Sequence, residues 1–128
     1  PRFHNTGLYT EDGHGAYPEP NTGVHRHSGR SEDMGKFRAP TLRNIALTAP
    51  YMHDGSVPTL EAVLDHYAAG GRARSFGTDA RNIGPDSATS PLVKGFEITP
   101  KERRQLVAFL RALTDKSFLQ KAKMQGVK

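Results

Sequence analysis

Apolar residues recur at helical spacing in two stretches of the chain. In the first stretch, four of them stand at positions i, i+3, i+4 and i+7 of one helical face: Leu60, Val63, Leu64 and Tyr67. Thr59 is a suitable N-cap, and the pair Gly70-Gly71 stops a helix at its C-terminus. The spacing therefore predicts a helix from about Thr59 to Ala69.

The second stretch carries the clearest helix signal. Thr99-Pro100-Lys101-Glu102 combines a capping box with proline at the first helical position. Four apolar residues follow on one face: Leu106, Phe109, Leu110 and Leu113. Thr114-Asp115 ends or kinks the helix, so we predict a helix over residues 99–114 and a lysine-rich basic tail over 115–128.

The remaining segments lack a helical or strand period. Residues 1–36 and 72–98 are rich in glycine and small polar residues, which indicates irregular loop. Between them, Pro40 to Asn44 can start a short helix, and turns are predicted at Thr48-Ala-Pro-Tyr51 and His53-Asp-Gly55. No stretch alternates as a strand does, so the sequence predicts an all-α fold with much loop.

At 128 residues the chain is long enough for one domain with one core but short for two domains. Its hydrophobic content of 35% is low for a self-sufficient globule, and 13 glycines and 9 prolines add chain breaks. The formal charge of +5 favours acidic partners at long range. Because basic and acidic residues are mixed, we expect no nucleic-acid partner. The composition indicates a loop-rich domain that depends on a partner or a cofactor.

The sequence contains no cysteine, which excludes disulfides, a thiolate nucleophile, cysteine–zinc sites and CxxCH haem attachment within it. A Ser-His-Asp elbow, a P-loop and a dinucleotide glycine fingerprint are also absent. No apolar run reaches the length of a membrane span, and no signal peptide is visible. We interpret the opening Pro1-Arg-Phe-His-Asn5 as a chain that starts in the middle of a longer protein.

Four of the six histidines lie in the first loop region: His4, His14, His25 and His27. A His-x-His pair can bind copper or zinc. However, no spacing of carboxylates and histidines here matches a zinc site, and the surrounding residues predict loop. We therefore favour solvated loop histidines over a metal site.

The most informative stretch is Phe37–Gly55, which contains Pro40-Thr-Leu-Arg-Asn-Ile-Ala-Leu-Thr-Ala-Pro-Tyr-Met-His-Asp-Gly55, with Tyr67 fourteen residues after His53. By pattern alone it is a loop followed by an amphipathic helix, and Tyr67 is a core residue. The stretch nevertheless resembles the distal half of a haem domain in the di-haem cytochrome c peroxidase and MauG family. Pro1–Gly7 resembles the segment just after the CxxCH motif of that family.

The resemblance extends more loosely through Pro91-Leu92, Gly95-Phe96 and the second predicted helix. It implies a partial cytochrome c-like haem domain over residues 1–128 that lacks its N-terminal helix and CxxCH. Its parts are then a loop region (1–36), the distal-ligand motif and helix (37–71), a long loop (72–98), a closing helix (99–114) and a basic tail (115–128).

The resemblance implies that Tyr67 is the distal ligand of the C-terminal haem iron. Electron-transferring cytochrome c peroxidases usually have methionine at this place, whereas MauG-type enzymes have tyrosine. A thioether favours ferrous iron, but an anionic phenolate favours ferric and higher-valent iron. Met52 is a competing thioether, although it lies in the predicted turn and not on the helix face.

The resemblance also implies further ligands near the turn. The main-chain carbonyls of Thr48 and Pro50 fall where the family binds part of a Ca²⁺ between its haem domains, and such oxygens suit this cation. His53, Arg43 and Arg38 are expected to face haem propionates or the region between the haems. Structural hydrogen bonding of the turn is the alternative role for these three, and shaping of the turn is the alternative for Pro50.

For function, the resemblance implies part of a periplasmic di-haem c-type enzyme that reduces hydrogen peroxide at its other haem and oxidises a protein partner. This segment then supplies the tyrosine side of the C-terminal haem (haem c) and meets the N-terminal haem domain of the same parent. By itself it is expected to be inactive. Two alternatives stay open: a cytochrome c peroxidase that takes electrons from a small redox protein, and a haem-free interaction module whose mildly basic surface binds an acidic partner.

Overall fold

The computed structural model describes residues 2–9, 16–71 and 89–117. Most of the predicted long loop and of the predicted basic tail therefore lies outside the described residues. Five helices and strands follow one another along these ranges: β1 (Phe3–His4), α1 (His25–Ser28), β2 (Phe37–Arg38), α2 (Leu60–Ala69) and α3 (Pro100–Ala112). Two 3₁₀ turns lie at Ser31–Asp33 and Ile45–Leu47. The helical, loop-rich fold class predicted from the sequence is confirmed.

The chain divides into two compact units. The first consists of Pro1–Pro40 and Ala62–Ile98, and the second of Thr41–Glu61 and Thr99–Lys128. The assignment of all 128 residues to one partial haem domain stays a prediction.

A short antiparallel pair in the first unit was not predicted. β1 and β2 pair so that Phe3 lies opposite Arg38 and His4 lies opposite Phe37. Two residues per strand are too few for an alternating apolar pattern to appear in a sequence. The pair ties residues 3–4 to the beginning of the 37–55 motif.

The core of the first unit is organised by a polar side chain. Asn5 is 1% exposed, and its Oδ1 accepts hydrogen bonds from the Gly7 N–H and the Tyr17 hydroxyl, both at 2.8 Å. Its Nδ2 donates to the Met34 carbonyl at 3.0 Å. The Tyr17 hydroxyl in turn accepts a hydrogen bond from the Leu8 N–H at 3.0 Å. Every one of these buried polar groups therefore has a partner, as stable burial requires.

Residues 1–36, which the sequence predicts as irregular loop, contain this core together with α1 and one 3₁₀ turn. Packing at Gly35 is tight. Its φ is +66°, and an added Cβ would overlap the Tyr17 ring and lie 2.6 Å from Asn5 Nδ2, so glycine is required. Side-chain hydrogen bonds hold this region, and they leave no apolar period that a sequence pattern could reveal.

α2 confirms the first predicted helix, beginning at Leu60 and ending at Ala69. The four residues of its predicted apolar face are buried or half-buried: Leu60, Val63, Leu64 and Tyr67. His66 lies off that face and is also buried, with 8% exposure. The helix therefore buries one polar ring beside the candidate ligand.

In the second unit, the short helix predicted to start at Pro40 to Asn44 is displaced. A 3₁₀ turn forms at Ile45–Leu47 instead, and Asn44 adopts a left-handed φ of 61°. The Asn44 N–H donates to the Leu113 carbonyl at 3.1 Å, and Asn44 Oδ1 accepts from the Asp115 N–H at 2.7 Å. These tertiary hydrogen bonds hold Asn44 in a conformation that interrupts helix formation.

α3 confirms the second predicted helix. Thr99 Oγ1 accepts from the Glu102 N–H at 3.3 Å, and the Glu102 carboxylate accepts from the Thr99 N–H at 2.9 Å, which completes the capping box. Val107 is buried, whereas Leu106 and Phe109 of the predicted stripe are 40% and 55% exposed. Periodicity identifies an apolar face, but it does not say what covers that face.

Candidate functional site

Tyr67 lies near the C-terminal end of α2 and is half-buried. Its hydroxyl forms no hydrogen bond to any residue in the described part of the chain. Its ring meets the His66 ring edge-on, with centroids 5.4 Å apart and planes at 84°. Burial raises the pKa of the Tyr67 phenol above its ordinary value of 10.0, so the phenol is neutral at physiological pH. An oxygen donor of this kind can bind a metal cation in place of its proton.

The backbone that carries Tyr67 is held at the end of α2. The Gly70 N–H donates to the Tyr67 carbonyl at 3.1 Å, and the Gly71 N–H donates to the His66 carbonyl at 2.9 Å. This pair of bonds forms a Schellman motif, and the φ angles of 79° and 103° at the two glycines are conformations that glycine adopts readily. The glycine stop predicted from the sequence therefore also fixes the backbone of the candidate ligand.

His66 joins this helix end to the segment that follows β1. Its Nε2 lies 2.9 Å from the Thr6 carbonyl oxygen, and because a carbonyl only accepts, Nε2 carries the proton and donates it. The carbonyl of the preceding residue, Asn5, accepts a hydrogen bond from the Ser90 N–H at 2.8 Å. The residue beside the candidate ligand is thus bound to a segment that is itself anchored.

His53 stands in a loop closed by Tyr51 and Val57, which exchange backbone hydrogen bonds of 2.6 and 3.3 Å. The imidazole is exposed, and partial desolvation lowers its pKa below 6.5 while the Asp54 carboxylate opposes that shift. Met52, the competing thioether, is half-buried and adopts a left-handed φ of 67° in the same loop. The turn predicted around His53 is confirmed as part of this closed loop.

The two arginines expected near haem propionates lie in different units. Arg43 Nη2 donates to Asp115 Oδ2 at 2.9 Å, within the second unit. Hydrogen bonds from Ser117 and then from Arg43 lower the pKa of the Asp115 carboxyl to about 2. Arg38 is exposed in β2 of the first unit. Arg43 therefore has a structural ion pair, but with Asp115 after α3 and not within the turn, and a guanidinium has five N–H donors, so it can bind a second acceptor.

Thr48 and Pro50 lie in an exposed segment directly after the second 3₁₀ turn. The Thr48 hydroxyl donates to the Ile45 carbonyl at 3.0 Å. Among the described residues, no N–H or O–H donates to the carbonyl of either Thr48 or Pro50. Both residues are exposed, and the role of their carbonyl oxygens as Ca²⁺ ligands stays a prediction.

The histidines of the first loop region have separate surroundings. His25 Nδ1 is 2.9 Å from the Arg30 carbonyl, and His4 Nδ1 is 3.2 Å from Ser90 Oγ. His14 lies outside the described residues. In residues 2–9, 16–71 and 89–117, no cluster of histidine and carboxylate side chains could hold a metal ion.

The expected site residues fall into two groups, with Tyr67 and Arg38 in the first unit and His53 and Arg43 in the second. Sequence reasoning missed His66 and Asn5. A histidine within a largely apolar helix, directly before the candidate ligand, is the signal that could have found His66. Asn5 has no comparable signal, because its importance comes from partners far along the chain.

The chain is similar to known cytochrome c-like proteins. Residues 36–74 match the family described as RoxA-like, cytochrome c-like. The chain is 37% identical over 113 residues to the methylamine utilization protein MauG of Methylorubrum extorquens, which is 87% of this chain and 26% of that protein. It is 35% identical over 105 residues to the cytochrome-c peroxidase IdrP1 of Denitromonas iodatirespirans, which is 82% of this chain and 24% of that protein.

A solved structure agrees with the fold. The crystal structure of a MauG-like protein associated with microbial copper homeostasis matches with a TM-score of 0.78 and 51% identity, over 91% of this chain and 33% of that chain. The chain belongs to the di-haem cytochrome c peroxidase and MauG family. It spans about a quarter of the length of the two curated relatives. In the described ranges of this MauG-family chain, no helix is long and apolar enough to cross a membrane.

Membership of the MauG and peroxidase family implies haem c as cofactor. The phenol oxygen of Tyr67 fits such a group, because a phenol oxygen can bind iron and this one has no hydrogen-bond partner among the described residues. Seven large apolar side chains in the described ranges are 40–76% exposed: Phe3, Leu42, Leu47, Leu92, Phe96, Leu106 and Phe109. Because the sequence has no cysteine, covalent attachment of haem c needs cysteines outside these 128 residues.

Proposed function

We propose that this chain supplies the tyrosine side of the C-terminal haem in a MauG-like di-haem enzyme that uses hydrogen peroxide to oxidise a protein partner. The observation that supports it best is Tyr67, a half-buried oxygen donor without a hydrogen-bond partner among the described residues. Its backbone is held by Gly70 and Gly71, and it stands fourteen residues after His53, the ligand spacing of the resemblance.

The chemistry of the phenol supports this role. Burial raises the pKa of Tyr67, so the phenol keeps its proton until it binds a cation, and ligation then requires release of that proton. An anionic oxygen ligand stabilises ferric over ferrous iron, which is the opposite preference to that of a thioether. Bound haem supplies the peroxide and electron-transfer chemistry. Tyr67 would hold the iron through its phenol oxygen and would favour the oxidised metal.

The similarity to MauG-type proteins supports oxidation of a protein over simple peroxide removal. The chain is 51% identical to a MauG-like protein associated with microbial copper homeostasis. A copper-handling protein is therefore the first partner to test as the substrate. Within the same enzyme, the N-terminal haem domain is the proposed site of peroxide reduction, and the proposed compartment is the periplasm.

The other polar residues receive supporting roles in this proposal. Arg38, Arg43 and His53 donate hydrogen bonds to haem propionates or to groups between the haems. The Thr48 and Pro50 carbonyls form part of a Ca²⁺ site. Carbonyl oxygens that accept no hydrogen bond from the described residues, and exposed arginine residues, are compatible with these roles.

Tyr67→Phe in the intact haem-loaded protein tests the proposal, because phenylalanine keeps the ring but cannot bind iron. We expect an altered optical spectrum of the C-terminal haem and slower oxidation of the protein partner by hydrogen peroxide. Tyr51→Phe is the matched control, since the Tyr51 hydroxyl donates to the Ile45 carbonyl at 3.1 Å and its loss should leave the spectrum unchanged. A wild-type spectrum in Tyr67→Phe overturns the proposal. A spectral change in Met52→Leu alone identifies Met52 as the ligand instead.

The 35% identity to IdrP1 favours a second candidate, a cytochrome c peroxidase that takes electrons from a small redox protein. Steady-state peroxide consumption with a reduced small cytochrome separates the two candidates. Rapid turnover with the cytochrome, and no modification of a protein partner, supports the peroxidase. If the intact protein lacks a Soret band, both candidates fail and the haem-free interaction module becomes the better hypothesis.

A further inference from the structure

We propose that His66 is a positioning residue that sets the orientation of the Tyr67 ring. The inference rests on the proposed function, because it takes Tyr67 as the ligand. Two contacts of His66 carry it, the edge-on contact with the Tyr67 ring and the hydrogen bond from Nε2–H to the Thr6 carbonyl.

The contact between the two rings is unusual for neighbours on a helix. Consecutive helical residues project about 100° apart, so their side chains do not ordinarily face each other. Here the centroids of His66 and Tyr67 are 5.4 Å apart with planes at 84°, the edge-to-face arrangement that aromatic rings prefer. The His66 ring must therefore be turned toward Tyr67 and kept there.

The Thr6 carbonyl keeps the His66 ring in place. The hydrogen bond is 2.9 Å long, and the imidazole is 8% exposed, so water competes little for either group. Thr6 itself lies between two restrained residues. The Gly7 N–H donates to Asn5 Oδ1 at 2.8 Å, and the Asn5 carbonyl accepts from the Ser90 N–H at 2.8 Å. This chain of hydrogen bonds connects the His66 ring, and through it the Tyr67 ring, to the polar core of the first unit.

A role of His66 that is limited to filling space in the core predicts a different result. An apolar ring of similar size would fill the same space, although it would leave the Thr6 carbonyl without the His66 donor. If His66 only fills space, His66→Phe should leave Tyr67 unaffected. If His66 positions Tyr67, loss of the N–H donor should change the ligation of Tyr67 even when the protein remains folded.

Two variants of the intact ferric, haem-loaded protein test this. His66→Phe keeps an aromatic ring and removes the donor, whereas His66→Gln keeps an amide N–H near the position of Nε2. The measurements are the fraction of C-terminal haem ligated by tyrosine, from electron paramagnetic resonance and resonance Raman spectra, and the unfolding temperature. In His66→Phe we expect the unligated fraction to rise about threefold to tenfold, the net effect of one hydrogen bond, while the protein remains folded. His66→Gln should recover part of the ligated fraction.

Tyr67→Phe, measured in parallel, separates failure of this inference from failure of the proposed function. If Tyr67→Phe leaves the ligation spectrum unchanged, Tyr67 is not the ligand and both fail. If Tyr67→Phe removes the tyrosine signature but His66→Phe retains the wild-type ligated fraction, only the positioning role is overturned. If neither His66 variant folds or binds haem, His66 is a structural residue and the positioning role is overturned as well.

Discussion

The Tyr17 hydroxyl donates a 2.8 Å hydrogen bond to Asn5 Oδ1, and the two side chains are only 4% and 1% exposed. The same amide oxygen accepts from the Gly7 N–H, so one side chain shapes the segment that contains Thr6. Because the Thr6 carbonyl binds His66 beside Tyr67, the polar core and the candidate ligand form one connected structure within the first unit.

Asn5→Leu is expected to lower the free energy of unfolding by roughly 2–4 kcal/mol, because it leaves the Tyr17 hydroxyl, the Gly7 N–H and the Met34 carbonyl without their buried partner. Chemical denaturation of the intact protein followed by circular dichroism measures the change. Asn21→Leu is the control, since Asn21 is exposed and its replacement should change stability by less than about 0.5 kcal/mol. Equal effects of the two substitutions contradict the assigned role of Asn5.

Gly95→Ala is expected to destabilise the protein more than Gly29→Ala. Both glycines have left-handed φ angles, 79° and 68°, so both substitutions incur about 1 kcal/mol of backbone strain. At Gly95 an added Cβ would also lie 2.8 Å from the Ala68 carbonyl oxygen, the atom that accepts from the Phe96 N–H. At Gly29 nothing lies within 4 Å of the added Cβ.

The steric overlap at Gly95 should lower the free energy of unfolding by roughly a further 1–3 kcal/mol, as measured by chemical denaturation. Similar losses in the two alanine variants would show that the end of α2 is less tightly packed than the structure indicates.

Asp33 is expected to make stability fall in acid. Hydrogen bonds from Ser28 and then Arg30, with a further one from Lys36, lower the pKa of its carboxyl from 3.8 to about 2. The folded protein therefore binds this proton less tightly than the unfolded chain. The contribution is fully present above about pH 4 and is lost as pH falls through about 2. Asp33→Asn should flatten the dependence of unfolding free energy on pH across this window, and an unchanged slope would refute the assignment.

Arg43→Gln separates the structural role of Arg43 from its proposed cofactor role. The Arg43 side chain is 71% exposed, so loss of its 2.9 Å ion pair with Asp115 should cost less than about 1 kcal/mol. If Arg43 also binds a haem propionate, loss of the cation should lower the reduction potential of the C-terminal haem. Potentiometric titration measures this, and Lys116→Gln is the control, because it removes an exposed charge from the same unit. Equal shifts in both variants rule out a specific role for Arg43.

The two longer helices could be predicted because their determining contacts are local. The capping box joins Thr99 to Glu102, and the glycine stop joins Gly70 and Gly71 to carbonyls a turn earlier. Such contacts lie within a few residues, so their signals stand side by side in the sequence. The fourteen-residue spacing from His53 to Tyr67 is local in the same sense, and the family resemblance is what makes Tyr67 the candidate ligand.

Contacts between distant residues could not be predicted in this way. Asn44 leaves the helical conformation because it is bonded to Leu113 and Asp115, far along the chain. His66 and Thr6 are 60 residues apart, and their hydrogen bond has no periodic trace in the sequence.

The amino-acid sequence by itself therefore determined the two longer helices, α2 and α3, because these depend on caps and periodicity. Tyr67 became the candidate ligand through the family resemblance of the 37–55 stretch. Only the tertiary structure decided that a buried asparagine organises the first unit and that His66 contacts both the Tyr67 ring and the Thr6 carbonyl. Hydrogen bonds between distant polar groups depend on distance and direction, which arise only once the chain has folded.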